Sequence, residues 1–211
     1  MLISEKNMLS NYKEKQFWNW FERNNSKFFF LNQIDNEQER ERLLDDFLER
    51  LHTYNEHLFF EIGGHPDETQ ELIITAEGDT EYFEKVEALV KEAPSLKNWH
   101  IIPFKPPAEG FTISYKGIEL DPKNLWFFPL ENKQNISLLG LKIYLPRYEH
   151  SQKKDTLTAV YLVLDSLLGE RSSSMDIHHV EVHQLPSNPE EQGLLDLVDL
   201  PGYIKWKKSK S

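Results

Sequence analysis

Three features of this 211-residue chain predict an α+β fold with helices packed on a mainly antiparallel sheet. Short apolar runs rich in Ile, Leu and Phe end on Gly or Pro, as strands do. Longer segments carry apolar residues three and four apart, as helices with one buried face do. The order strand, strand, helix, strand also occurs twice, once in residues 58–107 and once in 108–185.

The elements follow in order. Phe17, Trp18, Trp20 and Phe21 fall on one broad helical face and predict an aromatic helix over about residues 11–24, whose rings need burial to be stable. A second helix is capped by Asp35 or Asn36, with Glu39 placed to reach back. Its apolar stripe is Leu43, Leu44, Phe47, Leu48, Leu51 and Tyr54, and Leu44, Phe47 and Leu51 are expected in the core. Leu58–Ile62 and Leu72–Ala76 read as strands, with a turn at Gly63-Gly64-His65-Pro66 between them. Asp79 or Thr80 caps a third helix with the stripe Tyr82, Phe83, Val86, Leu89 and Val90, which Pro94 stops. Trp99–Phe104 is a strand closed by Pro106-Pro107.

The second half opens with a short strand near Phe111–Tyr115, then Leu125–Leu130 and the alternating Leu138–Leu145. Residues 153–168 form a strongly apolar helix, and Ile177–Leu185 a strand. Pro186 and Pro189 bound a loop, after which Leu194, Leu195, Leu197, Val198 and Leu200 can dock on the body. No long flexible linker is evident. One domain over 1–211 is expected, composed of N-terminal helices (11–57), two halves (58–107 and 108–185) and a C-terminal segment (186–211). The two halves fit a repeat, or one ferredoxin-like unit with added strands.

Composition narrows the chemistry. There is no cysteine, which removes disulfide scaffolds, thiolate metal sites and cysteine nucleophiles. The net charge is −11 and is uneven: residues 1–105 hold 12 basic and 21 acidic residues, residues 106–211 hold 12 and 14. Such a surface repels phosphate backbones, so no nucleic-acid partner is expected. The basic tail of Lys205, Lys207, Lys208 and Lys210 reads as a solvated, frayed end. Residues 1–15 contain no apolar signal region, and Leu157–Leu168 is too short to span a bilayer. A cytoplasmic location without membrane contact is therefore expected.

FWNWF at residues 17–21, ELIITAEG at 71–78, WHIIPFKP at 99–106 and ELDP at 119–122 followed by Leu125 and Trp126 give the chain a likeness. It resembles a family of uncharacterised bacterial proteins of about this length. The resemblance implies a bacterial cytoplasmic protein and carries no activity with it.

No phosphate-binding glycine loop and no nucleophile elbow are present. Ser172, Ser173 and Ser174 after Gly169 read as a loop. Asp165 sits on the polar stripe of the 153–168 helix and is expected to face water. His179, Glu181 and His183 alternate along one strand and so share a face. Two imidazoles and a carboxylate could serve zinc or iron, but one wet strand face explains the same pattern, so no metal, cofactor or catalytic residue is assigned. The reading that remains is a non-enzymatic module that binds another protein through an acidic surface on residues 35–92, for instance a basic toxin. The alternative is an enzyme of unrecognised type, using Asp, Glu and His for acid–base work in a pocket.

Overall fold

A computed structural model describes residues 2–29, 31–64, 68–131 and 138–210. The chain divides into two compact units, Met1–Lys105 and Pro106–Ser211, parted at the Pro106-Pro107 pair. Each has its own hydrophobic core. Four of the six strand pairings are antiparallel, in keeping with the α+β class.

In the first unit α1 (Leu2–Asn24) and α2 (Glu37–Tyr54) precede β1 (Phe59–Gly63) and β2 (Gln70–Thr75). Then come α3 (Phe83–Lys91) and β3 (Trp99–Pro103). The sheet order is β1-β2-β3, antiparallel in the first pair and parallel in the second. Asn36 caps α2, its Oδ1 accepting from the Glu39 N–H at 3.2 Å. Asp79, expected with Thr80 as the cap of the third helix, instead caps the 3-10 turn Thr80–Tyr82 that leads into α3, its Oδ1 accepting from the Glu81 N–H at 3.1 Å, and α3 itself starts after Tyr82 without a side-chain cap. Helix α1 begins well before residue 11, because lengthening a docked helix costs far less than starting one. The turn expected at 63–66 lies partly outside the described residues.

The first core is aromatic. Phe47 is fully buried, with the rings of Phe17, Trp20, Phe21, Phe28 and Phe60 at 5.6, 5.7, 5.8, 5.3 and 4.0 Å between centroids. The indole of buried Trp18 donates to the Leu89 carbonyl at 2.7 Å, tying α1 to α3. The apolar stripe of α2 is wider than the core it faces. Phe47, Leu51 and Tyr54 are buried, but Leu44, expected with them, is only half-buried. Glu14 is buried on α1 with its Oε2 unpartnered among the described residues. Burial, and then the negative charge of Glu14, push the Tyr54 hydroxyl well above its ordinary pKa. Past β3, Phe104 takes a left-handed backbone (φ 66°) that a bulky residue adopts only under constraint. Its N–H bonds the Ile74 carbonyl at 2.8 Å and its ring lies 4.6 Å from that of Phe83. Lys105 then reaches Glu61 at 3.2 Å and Glu77 at 3.0 Å.

The second unit opens with a separate hairpin, β4 (Ile113–Tyr115) and β5 (Ile118–Leu120). Next come β6 (Trp126–Glu131), β7 (Leu139–Leu145), α4 (Lys153–Leu168), α5 (Glu170–Asp176), β8 (Ile177–Gln184), β9 (Leu195–Asp196) and α6 (Leu200–Lys208). The sheet order is β8-β7-β6-β9. β6 and β7 are antiparallel and β7 and β8 parallel, so the strand–strand–helix–strand pattern of the first unit recurs. The β7–β8 register shifts between Leu139 and Gly140, where His178 is the extra residue of a bulge. A Cβ built on Gly140 would lie 3.1 Å from that of Leu130. Helix α4 buries Ala159, Val160, Val163, Leu164 and Leu168, whereas Leu157 and Leu167 are half-buried.

Three local expectations change. The serines after Gly169 lie in α5, where Ser172 Oγ donates to Asp176 Oδ2 at 2.6 Å. That four-residue bond keeps a loop-forming composition helical. Lys205, Lys207 and Lys208 of the basic tail form the last turn of α6, and Lys210 lies beyond it; the helix is held by buried Leu200 and Ile204 and by Lys208 Nζ at 2.8 Å from Asp176. Asp165 is half-buried. Among the described residues no helix is long and apolar enough to cross a membrane.

Replacing Phe47 with Ala should cost about 3–5 kcal/mol, because the rings around it come from several elements and cannot all collapse into the gap. Urea unfolding should show a lower midpoint with little change in slope. An unchanged midpoint would mean that Phe47 is not the centre of this core.

Candidate functional site

Helix α2 carries Glu37, Glu41, Asp45 and Glu49 four residues apart, which stacks four carboxylates along one side of the helix. All four are exposed, and the ridge runs about 18 Å at 1.5 Å per residue. Arg50 answers Asp46 at 3.9 Å, on a neighbouring line of the helix. Beside the ridge lies a groove of about 450 Å³ between α2 and the edge strand β1. Leu44, Leu48, Phe60 and Ile62 line it, with Arg40 and Asp45 as its charged groups. The four apolar residues are half-buried, and buried Leu31 completes the apolar lining. The ring of Phe60 also touches Phe47. The groove therefore shares its floor with the aromatic core.

The surrounding surface has the same sign. Residues 35–92 hold 18 acidic and 5 basic residues, net −13, more negative than the whole chain. Tyr82 stacks on His57 at 4.0 Å between centroids. Lost hydration raises its hydroxyl above the ordinary tyrosine pKa, and the carboxylates of Asp79, Glu81 and Glu56 add to the effect.

The histidine strand is β8. His179 Nε2 lies 3.2 Å from Glu181 Oε1 and His183 Nε2 lies 3.0 Å from Oε2, so both imidazoles hold one carboxylate. Tyr144 stacks on His183 at 5.4 Å, and Lys142 stands opposite Glu181 in the β7–β8 register. Hydrogen bonds from His183 and then His179, with the Lys142 charge beyond them, hold the Glu181 carboxyl below its ordinary pKa. Among the described residues no three His, Cys, Asp or Glu converge as a metal site. His178 and His179 are both exposed because the bulge at His178 interrupts the alternation.

The aromatic residues Phe17, Trp18 and Phe21 are buried core, as expected for a helix that needs its rings covered, whereas Trp20, expected with them, is half-buried. The i, i+4 carboxylate ridge was legible in the sequence, but the groove was not. It exists only because half the α2 stripe is left uncovered where β1 ends the sheet. No family model, curated protein or solved structure matches this chain.

Glu181 contributes stability that is present above the ordinary glutamate pKa and is lost as pH falls through its lowered value. Its exposure keeps this below about 1 kcal/mol. In a carboxyl NMR titration Glu181 should have a midpoint below that of an ordinary glutamate. The His179→Ala, His183→Ala double variant should return it to the ordinary value. A midpoint that the double variant leaves in place would mean the imidazoles do not hold this carboxylate.

Proposed function

We propose that the first unit is a non-enzymatic protein-binding module whose partner offers a basic amphipathic segment. Apolar side chains of that segment enter the groove between α2 and β1, and its Lys or Arg residues meet the ridge of Glu37, Glu41, Asp45 and Glu49. The observation that carries this reading is the ridge itself, placed at the lip of an apolar groove. Like charges four apart destabilise a helix by about 0.2–0.5 kcal/mol per pair. The ridge therefore opposes the stability of α2, and a cationic partner would relieve it. Half-buried Leu44, Leu48, Phe60 and Ile62 supply the desolvated centre that such interfaces need, and the carboxylates supply steering. The groove lining holds no histidine and a single carboxylate, an arrangement that favours binding over acid–base catalysis. The family resemblance adds a bacterial cytoplasm as the setting.

Immobilised chain should retain a basic protein from a lysate of its source at low salt and release it at about 0.5 M salt, where screening reaches only a few ångströms. Two variants should each abolish retention: Glu41→Lys with Asp45→Lys at exposed positions, and Leu48→Asp in the half-buried groove wall. Retention indifferent to both variants, or no capture at low salt, would overturn the proposal.

A further inference from the structure

The second unit holds a cleft of a different character, about 910 Å³, within the size range of small-molecule sites. One wall is α6. Pro201, Ile204, Lys205 and Lys208 stand at spacings of three, four and seven, a single helical face that turns from apolar to cationic along the cleft. Leu167 at the end of α4, together with Phe111 and Val198, continues the apolar surface. The strap carrying Phe111 is tied down by the Ala108 N–H on the Ser166 carbonyl at 2.7 Å.

Three ammonium groups border this surface: Lys123, Lys205 and Lys208. Asp176, only 9% exposed, fixes the last of them. Its Oδ2 accepts from Lys208 Nζ at 2.8 Å and from Ser172 Oγ at 2.6 Å. An ammonium has three donors, so Lys208 is held at the wall with two to spare. Lys123 and Lys205 have no carboxylate at ion-pair distance among the described residues. Of the two lining acids, Asp121 is engaged by the Lys123 backbone N–H at 2.9 Å and Glu109 is exposed. The cleft thus sets apolar walls beside three cations, with Glu109 and Asp121 also in its lining and Asp176 on Lys208, on a protein whose net charge is −11.

We infer that this cleft binds a small amphipathic anion, an aliphatic carboxylate whose chain lies along Phe111, Leu167, Val198 and Ile204 and whose carboxylate sits between Lys205 and Lys208. The overall charge makes the test sharp, because an acidic protein draws cationic amphiphiles adventitiously, and only the local placement of Lys205 and Lys208 at the end of an apolar wall reverses that preference.

The full chain is titrated calorimetrically with decanoate and, separately, with decyltrimethylammonium, both below micelle formation. Decanoate should bind at one saturable site, and the cation of equal chain length should not. Lys205→Gln, at an exposed residue free of structural bonds, should weaken decanoate about tenfold, the worth of one hydrogen bond to a charged group. Val198→Trp, also at an exposed position, should block the chain and abolish binding. Equal binding of the two amphiphiles, absence of saturable decanoate binding, or wild-type affinity in both variants would each overturn the inference.

Discussion

A parallel pair of strands cannot be closed by a tight turn, and each unit is organised around one such pair. β2 and β3 are joined through α3, and β7 and β8 through α4 and α5. The antiparallel strand before each pair makes the middle strand central, and the centre must be apolar. β2 buries Leu72, Ile73, Ile74 and Thr75, and β7 buries every second residue from Leu139 to Leu145. The two crossovers differ in length, and much else follows from that. The nine-residue α3 leaves part of its sheet to be covered by the aromatic helices α1 and α2. The longer connection through α4, Gly169 and α5 brings Ser172 to the cleft wall and Asp176 to Lys208.

How much of this is legible in the sequence depends on the kind of signal. Strands bounded by Gly or Pro, such as 72–76 and 99–104, and a helix with a capping Asn, such as α2, announce themselves, because the cause lies within a few residues. α5 and α6 do not. Ser172 to Ser174 favours a loop locally and becomes helical through the Asp176 hydrogen bond. The lysine tail becomes a helix because Leu200 and Ile204 find a core built by distant strands. The cleft and the groove are harder still. Each is a space between elements, and no residue spacing encodes a space.

The two surfaces also illustrate how stability and function separate on one helix. Along α2, Phe47 and Leu51 hold the core together. Leu44 and Leu48, on the same stripe, leave apolar surface uncovered, and the carboxylate line next to them strains the helix electrostatically. A sequence selected for stability alone would place lysines at some of those four positions. Asp176 makes the complementary case in the second unit: its two hydrogen bonds organise the C-terminal helix and also fix where an ammonium group stands.

The bulge at His178 has a genetic consequence. Gly140 faces it across the β7–β8 ladder, and any side chain at 140 would crowd Leu130 on the other neighbouring strand. The atom in the way is the Cβ of residue 130, which every residue but glycine carries, so shortening Leu130 does not make room. A replacement at 140 instead asks the β6–β7 backbones to part by a few tenths of an ångström. Position 140 is therefore constrained by the spacing of two strands, and change at its neighbour does not release it.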